Sequence, residues 1–169
     1  GFNYLSVIKC RQTKWISVKA LKSKDEVSVH LQWYSNVHGT PGTVETDNGP
    51  EFTGSSFQNV INRLGCIHHL GPPYTPQSQG DVERSNRSIK LALRSLCMTY
   101  RIPFTFWTTL LPGVVYLLNR VPSITTSCSP YFLRYGKVPN LALYPGRPVV
   151  AVDRKPTEKS LHVPNKFGI

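Results

Sequence analysis

Thr46-Asp47-Asn48-Gly49, then a helical segment, a short apolar strand and Pro76-Gln77-Ser78-Gln79-Gly80-Asp81-Val82-Glu83, is the stretch that decides how this 169-residue chain is read. Gly42 to Thr46 is a brief strand that delivers Asp47 to its carboxyl end, where Asn48-Gly49-Pro50 forces a turn. Phe57, Val60, Ile61 and Leu64 recur at i, i+3, i+4 and i+7, so a helix follows, and Gly65 is placed to cap it. Cys66 to Leu70 reads as the next strand. A Pro/Gly/Ser/Gln-rich loop from Gly71 to Gly80 then leads into a long helix from about Asp81 to Tyr100. Thirty-five residues separate Asp47 from Glu83. The order predicts one carboxylate at a strand end and the other in a helix's first turn, where the helix dipole favours the ionised form. Two acids held that way are what a site for hard divalent cations needs.

Upstream, Tyr4 to Ile8 is an apolar strand and Trp15 to Lys19 alternates as a strand does, so a turn at Arg11-Gln12-Thr13 predicts a hairpin. Ser23-Lys24-Asp25-Glu26 has capping-box form, and Val27, Leu31, Tyr34 and Val37 predict a helix that Gly39 and Pro41 stop. Downstream, a helix spans roughly Thr105 to Asn119 with a kink at Pro112, and Ser129-Pro130 opens one or two turns that Gly136 closes. The order strand, strand, helix, strand, helix, strand, helix, helix indicates α/β with a mixed sheet. Prolines multiply from Pro139 onward and only Val149 to Val152 reads as a strand. We therefore expect a core over 1–140 and a linker or the start of another module over 141–169.

Composition narrows the partner. Twenty Lys+Arg face nine Asp+Glu, a net charge of +11 that favours a polyanion. Five of the nine acids (Glu45, Asp47, Glu51, Asp81, Glu83) fall between positions 45 and 83, an acidic spot inside a basic field. That pattern suits a cation-dependent protein acting on nucleic acid. No stretch approaches the ~20 apolar residues of a membrane span. Four scattered cysteines, Cys10, Cys66, Cys97 and Cys128, show no paired spacing, so reduced thiols and a nuclear or cytoplasmic rather than secreted protein are expected.

Each candidate also has a plain structural reading. Asp-Asn-Gly alone is a common turn, but open α/β sheets bind ligands at the carboxyl ends of strands. On the long helix, Glu83, Asn86, Arg87, Lys90 and Arg94 share one stripe, while Val82, Ile89, Leu93, Leu96 and Tyr100 share another. The first stripe is either a solvated basic face or a surface laid along a phosphate backbone. Tyr74, Gln77, Ser78 and Gln79 supply an aromatic ring, two amides and a hydroxyl that can grip a strand end, or simply make a flexible loop.

Taken together, Thr46-Asp47-Asn48-Gly49-Pro50-Glu51-Phe52 and Pro76-Gln77-Ser78-Gln79-Gly80-Asp81-Val82-Glu83-Arg84-Ser85-Asn86 closely resemble the catalytic core of retroviral and long-terminal-repeat retrotransposon integrases, with a gammaretrovirus-like or endogenous-retroviral flavour. Supporting likeness lies in Tyr4-Leu5-Ser6-Val7-Ile8, Thr13-Lys14-Trp15, Phe106-Trp107, Leu111-Pro112, Ser129-Pro130-Tyr131 and Tyr135-Gly136. The resemblance implies a ribonuclease-H-like mixed sheet flanked by helices. It implies Mg²⁺ or Mn²⁺ as cofactor, DNA as partner and a homo-oligomer. It makes Asp47 and Glu83 catalytic metal ligands, and sets Gln79, Asn86, Arg87 and Lys90 against viral or target DNA.

The match is incomplete. The family's first acid lies on a central strand ahead of the one that starts here at Tyr4, and no Asp or Glu precedes Asp25. The expectation is a fold lacking its first, central strand and a chain inactive by itself in strand transfer or 3′-processing. Glu45, two residues from Asp47, is a candidate substitute carboxylate. The parent activity by resemblance is metal-dependent DNA strand transfer. The alternative is a decayed or host-adopted DNA-binding module without catalysis.

Overall fold

A computed structural model of the chain describes residues 1–71, 76–123 and 126–139, with the backbone alone at 76–79. Four strands and six helices are found there: β1 (Tyr4–Lys9), β2 (Ile16–Leu21), α1 (Val27–His38), β3 (Thr43–Thr46), α2 (Pro50–Thr53), α3 (Ser55–Leu64), β4 (Ile67–Leu70), α4 (Pro76–Thr99), α5 (Trp107–Leu118) and α6 (Pro130–Tyr135). The predicted order is borne out. Tyr74, Val149 and Val152 lie outside the described residues.

β1 and β2 form a hairpin, tied at its ends by Asn3 N–H to Leu21 O (3.0 Å) and Cys10 N–H to Trp15 O (2.8 Å). β3 and β4 run parallel, with Thr43 opposite Ile67 and Thr46 opposite Leu70. A parallel pair needs a crossover, and α2 with α3 provides it. Among the described residues the two pairs are separate two-stranded sheets rather than one continuous mixed sheet.

The chain divides into two compact units, one of residues Gly1–Ile8 and Ser17–Leu111, the other of Lys9–Ile16 and Pro112 onward. In the first, Leu31 of α1 packs with Phe57, Val60 and Ile61 of α3, and Val44 of β3 and Phe52 of α2 close around them. These are the apolar positions that set the helical period of α3. Gly65 ends that helix at φ +65°, a left-handed conformation that suits glycine. His30, fully buried, hydrogen-bonds with Ser17 of β2 (3.1 Å) and Ser6 of β1 (2.8 Å), fastening α1 to the hairpin. Burial, reinforced by the positive charge of Lys19, lowers its pKa from 6.5 to about 4. In the second unit, buried Asn119 brackets Ile16: its Oδ1 accepts from Ile16 N–H (2.9 Å) and its Nδ2 donates to Ile16 O (2.8 Å). Ser129 caps α6 by accepting from Phe132 N–H (3.1 Å), and Gly136 closes it at φ +65°.

Three local expectations are corrected. The Ser23 cap serves a single 3-10 turn at Lys24–Glu26, accepting from Asp25 N–H, and Glu26 reaches back to Lys22 N–H rather than to Ser23. Beyond the turn expected at Asn48-Gly49-Pro50, Pro50–Thr53 adds an unforeseen helical turn opened by its proline. The largest difference is α4, which starts at Pro76 instead of near Asp81, so the polar run Gln77 to Gly80 is helix and not loop.

Candidate nucleic-acid and cation site

Asp47 follows the last residue of β3, at the carboxyl end of the parallel pair, as the sequence predicts. Its Oδ1 accepts from Gly49 N–H (3.1 Å), the local bond that makes Asp-Asn-Gly turn. A relay that the sequence does not advertise holds this end of the strand. Gln58 of α3 donates through Nε2 to Phe52 O (2.8 Å) and to His68 Nδ1 (3.0 Å). His68 Nε2 meets Thr46 Oγ1 (2.8 Å), and that hydroxyl donates to Asp47 O (3.0 Å). Because the amide nitrogen of Gln58 can only donate, His68 must accept at Nδ1 and carry its proton on Nε2. Burial, with His69 adding a smaller effect of the same sign, lowers the pKa of His68 and favours that neutral ring. His68 thus positions Asp47 through Thr46.

A second carboxylate comes beside Asp47, and it is Glu51. A Cβ placed on Gly49 would sit 2.8 Å from Glu51 Oε2 and 3.1 Å from Asp47 Oδ1, so glycine alone lets the two acids face each other across the turn. Lys24 Nζ lies 3.6 Å from Glu51 Oε1. Glu51 Oε2 is buried with no hydrogen-bond partner, a costly state for a carboxylate oxygen. The sequence signal for Glu51 was its place at the second position of a proline-started turn. Glu45 sits in β3 opposite His69, before the chain leaves the strand, so two-residue alternation does not carry through to Asp47.

On α4 the buried side is Ser85, Ile89, Leu93 and Cys97, every fourth residue. Tyr100, expected in that stripe, lies past the helix end and is 59% exposed. The predicted polar stripe is where it was placed: Glu83, Arg87, Lys90 and Arg94 are exposed and Asn86 is half-buried, with its Oδ1 lacking a hydrogen-bond partner. Gln77, Ser78 and Gln79 lie in the first turn of α4. Glu83 is consequently the eighth residue of α4 and not in its first turn. The dipole argument for its ionisation therefore lapses, since that field fades within a turn.

The donor set fits a hard cation in kind. The orphaned oxygen of Glu51 beside Asp47 presents carboxylate oxygens, and Mg²⁺ is commonly held by one or two carboxylates plus phosphate and water. It does not fit a two-metal cage, because no three His, Cys, Asp or Glu side chains gather among the described residues. None of the four cysteines forms a disulfide, and no described helix is long and apolar enough to cross a membrane.

An α/β core with an acid at the end of a parallel strand, followed by a long helix with a polar and cationic face, places the chain in the ribonuclease-H-like class of folds. Within that class, the chain belongs to the retroviral-type integrase and transposase core family, matching the model of the TnsB C-terminal domain over residues 4–98. It is 32% identical over 145 residues to the Gag-Pol polyprotein of feline leukemia virus, an alignment covering 84% of this chain and 8% of the polyprotein. Its structure resembles a chain of the simian T-cell lymphotropic virus intasome in complex with PP2A regulatory subunit B56 gamma, with TM-score 0.67 and 25% identity over 86% of this chain and 52% of that one. It also resembles the HTLV-2 integrase catalytic core domain, solved with magnesium in a dimeric form (TM-score 0.61, 20% identity, 78% and 83% covered), a likeness of fold. The chain spans from 4% to 24% of the length of the curated polyproteins it matches.

Proposed function

We propose that this chain is a DNA-integration core that lays duplex DNA along the polar face of α4 and shares one divalent cation, Mg²⁺ or Mn²⁺, between Asp47 and Glu83. The observation that carries the reading is the placement of Asp47 at the carboxyl end of β3, pinned by the His68–Thr46 relay and set against the orphaned Glu51 oxygen. Asn86, Arg87, Lys90 and Arg94 supply an amide and cations spaced to follow phosphates. A cation held by these carboxylates would neutralise phosphate charge and lower the pKa of a bound hydroxyl, the chemistry that phosphodiester transfer needs. Asp47, Glu51 and Glu83 do not gather as one cluster of three among the described residues, which favours the second reading for this chain alone, a DNA-binding module without catalysis.

A second copy of the chain is the remaining partner. Val29, Trp33 and Val37 lie exposed at i, i+4 and i+8 on α1, an apolar stripe suited to self-association, and the HTLV-2 core is itself known in a dimeric form.

The test is fluorescence anisotropy of a labelled duplex at several salt concentrations, with Lys90→Ala and Arg94→Ala together. The reading expects affinity that falls steeply with salt, and a slope shallower by about two in the double variant. A slope identical to that of the unmodified chain removes it.

A further inference from the structure

The second compact unit contains a feature that neither carboxylate uses. Three segments far apart in sequence meet in it: the hairpin tip, the end of α5, and α6. Asn119 at the end of α5 brackets Ile16 of β2, and Asn119 O accepts from Tyr131 N–H of α6 at 2.7 Å. Around this junction rings and guanidinium groups alternate. The Arg120 guanidinium lies 3.5 Å from the Tyr116 ring centre and 4.6 Å from that of Tyr131. Tyr131 stands 4.8 Å from Tyr135, and Tyr135 meets Trp15 edge-on at 5.6 Å. Arg134 closes the row, 5.1 Å from Trp15 and 5.6 Å from Tyr135.

The charge around this row has one sign. Residues 9–16 and 112–139 contain Lys9, Arg11, Lys14, Arg120, Arg134 and Lys137, and no Asp or Glu. Six cations with no acid in these two segments give them a net positive charge that attracts a polyanion. Arginine stacked on an aromatic ring has its planar fork pre-oriented and its faces dehydrated, so less entropy is lost when it binds a phosphate. Arg120 directs one N–H of this fork to Tyr116 O (3.2 Å), which fixes its rotation, and guanidinium has five N–H donors in all. The rings are engaged with guanidinium groups or with one another, so they serve to hold the cations. Intercalated or stacked bases would need ring faces left open.

We propose that this aromatic–arginine row is a second DNA-binding surface, which grips the phosphate backbone of duplex DNA without reading its sequence. The inference rests on the DNA reading given above and adds to it a contact made outside α4.

The experiment uses the full 169-residue chain and a fluorescein-labelled duplex, with anisotropy titrations repeated across a range of salt. Arg11 and Lys137 are exposed, so Arg11→Ala with Lys137→Ala leaves the fold intact, as thermal melting will verify. Arg120→Lys keeps the charge but removes the planar fork. The proposal expects the double variant to bind several-fold more weakly, with the slope of log K against log salt reduced by about two. It expects Arg120→Lys to weaken binding as well, and duplexes of scrambled sequence to bind alike. If the double variant and Arg120→Lys both leave affinity and slope unchanged while Lys90→Ala with Arg94→Ala lowers them, this surface is refuted and the DNA reading stands. If the α4 pair changes nothing either, both are refuted.

Discussion

His30 makes this protein's stability depend on pH in a calculable way. The ring is fully buried between Ser6 and Ser17, and its pKa is lowered from 6.5 to about 4. A histidine whose folded pKa is depressed folds as the neutral ring, so protons bind the unfolded chain more readily. Its contribution is complete above pH 6.5 and is lost as pH falls toward 4. A shift of that size corresponds to about 3 kcal/mol, of which about 1.4 kcal/mol is already gone at pH 5.5. The native domain has on the order of 10 kcal/mol to lose, so the effect is readily measured. Urea unfolding followed by tryptophan fluorescence at pH 7.5, 6.5, 5.5 and 4.5 supplies the curve, with His30→Gln as reference because its amide keeps a hydrogen bond and does not titrate. Carboxylates titrate chiefly below pH 5 and the other histidines are common to both proteins, so the difference between the two over 7.5 to 5.5 isolates the His30 imidazole. The unmodified chain should lose about 1.4 kcal/mol more than His30→Gln over that interval. Equal losses in the two proteins would refute the buried, neutral His30.

Four further outcomes follow from the same geometry. Asn119→Ala strips Ile16 of two buried backbone partners and should cost about 2–4 kcal/mol in urea unfolding; a cost under about 0.5 kcal/mol would contradict the bracket. Gly65→Ala places a side chain at φ +65° with open space around it, so backbone strain alone should cost about 1 kcal/mol by thermal melting. Trp33→Glu on the exposed stripe of α1 should leave the melting temperature within a few degrees while shifting sedimentation toward monomer; an unchanged sedimentation coefficient removes the self-association reading. With no three acids gathered among the described residues, the purified chain should not join labelled DNA ends with Mg²⁺ or Mn²⁺ present, and metal-dependent products would overturn that.

Sequence patterns were most legible where a single residue type has a single local job. Gly65 and Gly136 end their helices at positive φ, and Ser129 caps α6, each as its neighbours predict. The start of α4 was hidden because periodicity is readable only where apolar residues recur, and Gln77-Ser78-Gln79-Gly80 has none. Pro76, a favoured first helical residue, was the available sign. Glu83 moved from the first turn to the third for that reason, and its support now comes from the exposed polar stripe. α2 is too short to show any period. Contacts across the fold were invisible: His68 reaching Thr46, Glu51 turning toward Asp47, and His30 joining two strands all depend on segments brought together by packing. Adjacent histidines in a short strand carry no motif, and only the Gln58 amide reveals that His68 orients the catalytic candidate.

The central claim is a cation held in common by Asp47 and Glu83, and manganese-induced broadening of backbone amide signals tests it most directly. Substoichiometric Mn²⁺ should broaden the amides of Asn48, Gly49, Glu83 and Arg84 together, and Asp47→Asn should abolish the effect at both places. Broadening confined to one of the two stretches, or surviving in Asp47→Asn, would contradict the shared site.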